Sequence, residues 1–214
     1  MISKLFEPIS LGPMSLPNRV VMTAMHLNYT PGGEVTEGFI DFYKARAKGG
    51  VGFIVIGGAD INDQASGHGF MLSIKDDRTI PGLKRFVDAI HEEETKCAVQ
   101  LYMAGAYSFC HLQGLPVLAP SAYRSSFSKA QTTAMTLNDI DRVQNDFVQA
   151  TRRAKEAGFD AVEVLASAGY LICQFLSPIP TGEKTNTVEP LRIGCGSVWR
   201  PSARSARRPG QTWP

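Results

Sequence analysis

Four short apolar runs recur along the chain and predict buried strands. They occupy residues 19–24, 51–58, 97–103 and 160–166, and the last three are nearly continuous in Val, Ile, Leu, Ala and Phe. Continuous rather than alternating apolar residues are typical of strands that are covered on both faces, as in a parallel sheet. The pattern therefore predicts four strands of one parallel sheet.

Amphipathic segments separate these runs and predict three helices. Apolar residues recur at helical spacing after Thr36 and after Pro81, and a longer helix begins at a cap formed by residues 137–139. Gly49-Gly50 ends the first helix and Gly158 ends the third. The order is therefore strand, helix, strand, helix, strand, helix, strand.

This order predicts an α/β fold, for which two architectures are open: a doubly wound sheet and a (β/α) barrel. No G-x-G-x-x-G follows the first strand, which weakens the dinucleotide-binding version of the doubly wound sheet. A complete barrel has eight units and about 250 residues, whereas four units are visible here. An N-terminal hairpin, with arms at residues 5–9 and 14–16, precedes them, and a long loop spans residues 105–134.

Composition adds little beyond a globular class. The 214 residues are 43% hydrophobic and 20% charged, with a formal net charge of +2, so nucleic acid and acidic membranes are not expected partners. The four cysteines form no C-x-x-C pair, and most read as small buried side chains. No His pair has metal-ligand spacing, so no metal site is predicted. The N-terminus lacks the apolar run of a signal peptide, and a cytoplasmic location is expected.

Small and polar residues stand where the predicted strands end, which is where α/β folds place their sites. The first strand leads into residues 23–26, Thr-Ala-Met-His, and the second ends in Gly57-Gly58; Gln100 lies in the third strand and Tyr170 follows the fourth. Each alone has a structural explanation, such as close packing for the glycines. Together they leave room for a flat ring, with an amide from Gln100 that needs hydrogen-bond partners. The combination predicts a cradle for a planar heterocycle with amide edges.

Longer segments resemble a known family. LFEPISLGPMSLPNRVVMTAM resembles the opening of Old Yellow Enzyme-type NADH:flavin oxidoreductases, FYKARAKGGVGFIVIGG the second unit, AVQLYMAG the third, and TRRAKEAGFDAVEVLASAGYLICQFLSP the fourth. The resemblance covers residues 1–179 in order. It is closest to the 2,4-dienoyl-CoA reductase branch, whose full enzymes add an iron–sulfur cluster and an FAD module.

The resemblance implies an FMN-binding TIM barrel that uses NAD(P)H to reduce an activated C=C bond. It implies two catalytic residues: Tyr170 as the proton donor, and His26, which faces the site beside the ring. A 4Fe-4S cluster and FAD would belong only to a missing C-terminal part, and the partner would be an unsaturated carbonyl compound or CoA thioester. The residues that it assigns to FMN are Thr23, Ala24, Met25, Gly58 and Gln100.

Two departures from the family pattern bear on the substrate. Many members carry H-G-A-H-G-Y-L after the fourth strand, with two His that hold the substrate carbonyl, whereas Leu165 and Ala168 occupy those positions here. Residues 102–104, Tyr-Met-Ala, likewise replace a His-containing stretch. Hydrogen bonding of a small enone by these His is therefore not expected, and a thioester substrate is favoured.

The chain after residue 179 does not continue the family pattern. Hydrophobic periodicity stops, and residues 180–214 are rich in Arg, Pro, Ser and Gly; a disordered basic tail is the simplest interpretation. However, reverse translation with a shifted frame can read NRRKDEYGGAFANRMRFG, the expected family continuation. We therefore expect two regions: half of an FMN barrel at 1–179 and a frameshifted tail at 180–214.

Two alternatives to a flavin enzyme stay open. The chain could be an inactive truncated fragment, because a half barrel lacks the later phosphate-binding loops and exposes its sheet edges. Poor solubility or self-association through those edges is expected of such a fragment. It could also be a different TIM-barrel enzyme that binds a phosphorylated substrate without flavin.

Overall fold

The fold was analysed in a computed structural model, which describes residues 2–177. Nine strands and four α-helices lie in this part of the chain. The strands are β1 (Ile9–Leu11), β2 (Met14–Leu16), β3 (Val21–Met22), β4 (Phe53–Asp60), β5 (Leu72–Ser73), β6 (Lys96–Tyr102), β7 (Val117–Ala119), β8 (Thr132–Ala134) and β9 (Ala161–Val164). The helices are α1 (Glu37–Lys48), α2 (Ile80–His91), α3 (Leu137–Ala157) and α4 (Leu171–Leu176).

The central sheet is parallel and has the order β3-β4-β6-β9, with β5 paired to the end of β4. Val21 pairs with Phe53, Phe53 with Lys96, and Ala98 with Ala161. Because consecutive strands are neighbours and run the same way, their carboxyl ends meet at one edge. The predicted strands and their order are therefore confirmed.

Helices α1, α2 and α3 all pack on one face of this sheet. Ile54 and Ile56 of β4 and Val99 of β6 lie in one buried cluster with Phe86 of α2 and Val143 of α3. The alternate strand residues face the other way, where Leu16 of the hairpin covers Phe53 and Val55. A doubly wound sheet carries helices on both faces, whereas a barrel carries them outside only. The arrangement is that of consecutive units of an α/β barrel.

Helix boundaries follow local capping. The Thr36 hydroxyl accepts a hydrogen bond from the Phe39 amide, so α1 begins where the sequence predicts. For α3 the predicted cap is one residue late: the cap is Thr136, whose hydroxyl accepts from the Asp139 amide while Asp139 accepts from the Thr136 amide. This reciprocal pair is a capping box with Asp in place of the usual Glu. Gly158, with φ +95°, ends α3 as predicted.

Several short elements differ from the sequence-based expectation. The first hairpin arm is β1 at Ile9–Leu11 rather than residues 5–9, because residues 2–6 form a 3-10 helix. The predicted loop at 105–134 contains β7 and β8, three residues each and paired in parallel. Such short strands carry no detectable hydrophobic period. Strand β5 and helix α4 were missed for the same reason.

The remaining predictions concern the cysteines, membrane-spanning helices, the sheet edges and the C-terminal region. Cys97 and Cys110 are buried as expected, Cys173 is half-buried, and all three are free thiols. Within residues 2–177 no helix is both long enough and apolar enough to cross a bilayer. The ends of the described sheet are open, and Val21 of β3 is 46% and Val164 of β9 is 48% exposed. The predicted region 180–214 lies outside the described residues.

Candidate active site

The loop after β3 joins the ends of the first two strands of the sheet. Met25 forms an isolated bridge with Gly57 near the end of β4. Thr23 and Met25 are exposed and Ala24 is half-buried. The segment predicted from the sequence to contact a ring therefore lies at the carboxyl edge of the sheet, with its backbone and the Thr23 hydroxyl accessible.

The Gly57-Gly58 pair brings the β4 backbone close to β6. Gly57 has φ +116°, where side chains are strained, and a Cβ there would lie 2.9 Å from the Gln100 carbonyl oxygen. A Cβ on Gly58 would lie 2.6 Å from Cβ of Tyr102. The strand register shifts between Gly57 and Ala59. Only glycine fits this approach, because the Gln100 backbone and the Tyr102 side chain already occupy the space that a Cβ would need.

Gln100 lies in β6, the strand between β4 and β9, and its side-chain amide contacts a carboxylate. It is in register with Gly57 on one side and with Glu163 on the other. Its Nε2 donates a hydrogen bond to Oε1 of Glu163, which is exposed. This bond uses one of the two amide N–H groups and fixes the orientation of the amide. Glu163 was missed by the sequence analysis, although a charged residue within an apolar strand run is a detectable signal.

Tyr170 precedes α4 and packs against two other tyrosines. Its ring lies 4.8 Å from the Tyr102 ring and 6.1 Å from the Tyr107 ring, both edge-to-face. The buried side chain of Gln174 ties this region together, because its Nε2 donates to the carbonyls of Gly169 and Ala104. The turn before α4 is thus attached to the loop after β6. Gln174 was also missed, because one amide in a short apolar helix gives no sequence signal.

His26 is exposed, and its side chain contacts Met71 and Asn28 rather than the tyrosines. Its Nδ1 lies 2.7 Å from Sδ of Met71, and its Nε2 lies 2.5 Å from Oδ1 of Asn28. Its ring is also 6.4 Å from that of His68. Met71 in turn packs in a cluster with Tyr102. Within residues 2–177, His26 is therefore linked to the tyrosines through Met71.

Asp60, at the end of β4, is a half-buried acid that the sequence analysis did not single out. Its Oδ2 accepts a hydrogen bond from the Ser66 hydroxyl, while its Oδ1 is inaccessible and has no hydrogen-bond partner within residues 2–177. Burial, the largest effect, raises the pKa of Asp60 to about 7, against the opposing effects of the Ser66 hydrogen bond and the Lys75 charge. The protonated form of Asp60 is therefore favoured by its surroundings.

A second acid lies at the opposite, amino end of the strands. Asp160 contacts Nε2 of His91 at 2.7 Å, Nζ of Lys96 at 2.9 Å and the amide of Cys97 at 2.9 Å. The potential metal ligands of His91, Cys97 and Asp160 lie within 4.8 Å of one another. The sequence analysis did not find this group, because its members are far apart in the chain. The Lys96 cation already contacts the carboxylate, so the group is accounted for as a hydrogen-bonded ion pair.

Comparison with known proteins identifies the family. The model of the NADH:flavin oxidoreductase / NADH oxidase family matches residues 4–188. The chain belongs to this family. The resemblance seen in the sequence motifs is thereby confirmed at the family level.

Individual relatives agree with this assignment. The chain is 47% identical over 185 residues to a protein named metal reductase from Desulforamulus reducens, covering 86% of this chain and 27% of the relative. It is 36% identical to an NADPH dehydrogenase of Listeria monocytogenes, covering 86% of this chain and 54% of the relative. The chain therefore spans about a quarter to about half the length of these proteins.

Solved structures share the same architecture. Old Yellow Enzyme from Pichia sp. AKU4542 superposes with a TM-score of 0.82 at 27% identity, over 91% of this chain and 55% of that one. A structure described as 2-naphthoyl-CoA reductase with 2-naphthoyl-CoA superposes with a TM-score of 0.83 at 26% identity, over 92% of this chain and 33% of that one. The described sheet and helices thus match part of an Old Yellow Enzyme barrel.

Proposed function

We propose that this chain carries the flavin half-site of an FMN-dependent reductase of activated C=C bonds. The observation that carries the proposal is the strand edge at Gly57-Gly58, where the β4 backbone passes close to β6 and the Gln100 amide is oriented by Glu163. Hydride transfer from NAD(P)H to the substrate carbon is the chemistry that FMN supplies when bound. The family assignment supports a flavin at this edge.

The donor set fits the amide edge of an isoalloxazine ring. In this proposal the second N–H and the Oε1 of Gln100 bind the pyrimidine edge, and the Gly58 backbone lies beside the ring. The exposed loop of Thr23, Ala24 and Met25 borders the same edge. Glu163 holds the Gln100 amide in one orientation, which saves the entropy of ordering it on binding.

Tyr170 is the proposed proton donor to the substrate carbon. Packing against Tyr102 and Tyr107 fixes the ring in place, and a general acid must be held within hydrogen-bond reach of the carbon that it protonates. His26 is proposed only to border the substrate side, because its ring nitrogens are engaged by Met71 and Asn28.

The proposed substrate is an enoyl or dienoyl thioester of the kind that the 2,4-dienoyl-CoA reductase branch uses. Leu165 and Ala168 offer no polar side chain for a small enone. The structural neighbour named 2-naphthoyl-CoA reductase supports a thioester in a related barrel. The nicotinamide reductant, NADH or NADPH, is a property of the whole protein.

Replacement of Tyr170 by Phe tests the catalytic assignment. In FMN-loaded protein, Tyr170→Phe is expected to slow reoxidation of reduced flavin by 2,4-hexadienoyl-CoA by about 100-fold, because general acid catalysis is lost. Bleaching of the flavin band by NADPH should be unchanged. Stopped-flow absorbance measures both steps, and Tyr29→Phe, an exposed tyrosine, is the matched control. Equal losses in both half-reactions would refute the assignment.

A second candidate is an inactive product of a frameshifted gene, which the shifted-frame reading of residues 180–214 favours. The proposal states that one base is missing after the codon for Ile179. Sequencing the genomic DNA of the locus tests it: the expected result is an uninterrupted family reading frame downstream in another phase. A locus in which no frame continues the barrel sequence would refute it.

A further inference from the structure

The proposed function gives no part to Gln174, a buried amide in the six-residue helix α4. Its side chain belongs to a residue that is 4% exposed. Both Nε2 protons are used, because Nε2 donates to the Ala104 carbonyl at 3.0 Å and to the Gly169 carbonyl at 2.7 Å. Oε1 accepts a hydrogen bond from the Ala106 amide at 3.0 Å. A buried amide with these three bonds has one fixed orientation.

Two of these bonds hold the peptides that adjoin a pair of tyrosines. Gly169 immediately precedes Tyr170 in the chain, and Ala106 immediately precedes Tyr107. The Tyr107 and Tyr170 rings lie 6.1 Å apart and meet edge-to-face. The Gln174 amide therefore joins the two stretches of backbone from which these rings extend, and it fixes the distance between them.

The turn that carries Tyr170 depends on contacts from outside itself. Ala168 has φ +57°, a left-handed conformation that costs an alanine free energy. Helix α4 is too short to be stable alone, and Tyr170 at its N-cap makes no side-chain capping bond. The Leu171 amide donates to the Met103 carbonyl on one side of Tyr170. Gln174 holds the peptide on the other side.

We propose that Gln174 is a positioning residue that fixes Tyr170 for proton donation, an inference that rests on the proposed function of Tyr170. Gln174 acts only through the tyrosine and touches neither substrate nor flavin. A general acid must lie within hydrogen-bond reach of the carbon that it protonates, and a small misplacement of a reacting group lowers the rate strongly. Loss of the Gln174 bonds is therefore expected to slow protonation of the substrate and to leave flavin reduction unchanged.

Gln174→Leu in FMN-loaded protein tests this role, because it removes all three bonds at nearly constant volume. Reoxidation of reduced flavin by saturating 2,4-hexadienoyl-CoA is expected to be about tenfold slower, while bleaching of the flavin band by NADPH is unchanged. In the Tyr170→Phe background the same substitution should cost nothing further, since its effect passes through the Tyr170 hydroxyl. A further tenfold loss in the double variant, or an equal loss in both half-reactions, overturns the proposal.

Gln174→Glu keeps the shape of the side chain and covers the case in which Gln174→Leu does not fold. The new carboxyl group can donate to a backbone carbonyl only when it is protonated, and as a carboxylate it repels both carbonyls. The ratio of its reoxidation rate to the wild-type rate is therefore expected to fall about tenfold between pH 6 and pH 9. Gln149→Leu, on α3 outside the site, should match the wild type throughout. A ratio for Gln174→Glu that is constant with pH contradicts the proposal.

A measurement without flavin separates this inference from the proposed function. In ¹⁹F NMR of the chain labelled with 3-fluorotyrosine, the signals that Tyr170→Phe and Tyr107→Phe remove are expected to shift in Gln174→Leu, or in Gln174→Glu at pH 9. The signal of the exposed Tyr29 should stay in place. Unchanged Tyr170 and Tyr107 signals overturn the positioning role whether or not the chain binds FMN. If instead Tyr170→Phe fails to slow reoxidation, the proposed function of Tyr170 is wrong, and the ¹⁹F signals judge the positioning by themselves.

Discussion

At the scale of single residues, two half-buried acids of this sheet, Asp60 and Asp160, have opposite electrostatic environments. Asp60 accepts a hydrogen bond from Ser66, and burial raises its pKa to about 7. Asp160 is also penalised by burial, but Lys96, the Cys97 amide and His91 outweigh the penalty and hold its pKa below the ordinary value. Burial thus dominates at Asp60, whereas charged and hydrogen-bonding partners dominate at Asp160, which joins elements at the amino end of the sheet.

Asp160→Asn is expected to destabilise the fold in a pH-dependent way. A depressed pKa contributes stability that is present above the unfolded-state value of about 3.9 and is lost as pH falls through the folded-state value. The variant should therefore lose about 1–3 kcal/mol of unfolding free energy at pH 7, and the difference should shrink below pH 4. Urea denaturation at several pH values measures it, with the exposed Asp88→Asn as control. A loss of unfolding free energy that is equal at pH 3 and pH 7 would contradict this account.

Residue-scale chemistry was the part least accessible from sequence. Gly58, Gln100 and Tyr170 could be selected because they stand at strand ends or interrupt an apolar run. The roles of Asp60 and Glu163 depend on which side chains neighbouring strands place opposite them, and only the register reveals that. His91 and Asp160 are 69 residues apart in sequence, so their contact has no local signal.

At the scale of elements, the hydrophobic periodicity predicted the long strands and helices and missed the short ones. Strands β4 and β6 and helices α1, α2 and α3 bury enough continuous surface to leave a pattern. The two- and three-residue strands β5, β7 and β8 are too short to show a period and are recognised by their pairing with neighbours, and residues 2–6 form a 3-10 helix where a hairpin arm at 5–9 was predicted. The choice between a barrel and a doubly wound sheet also needed the structure, because only there do all three long helices appear on one face.

At the scale of the molecule, the described chain is a parallel sheet with two open ends that matches part of longer family members. The site groups lie on this part of the chain: Met25 bridges Gly57, Gly57 is in register with Gln100, and Tyr102 packs edge-to-face against Tyr170. Self-association through β3 and β9 remains a prediction. The central claim is that these residues suffice to recognise the amide edge of FMN.

Fluorescence titration of FMN with the purified chain tests that claim most directly. The account predicts weak but saturable quenching by the wild type, and binding about tenfold weaker in Gln100→Leu, since the loss of hydrogen bonds worth roughly 1.4 kcal/mol changes Kd tenfold. Gln149→Leu, on α3 outside the site, should bind as the wild type does. Equal affinity of Gln100→Leu and wild type, or no binding by either the chain or the frame-restored protein, would contradict the account.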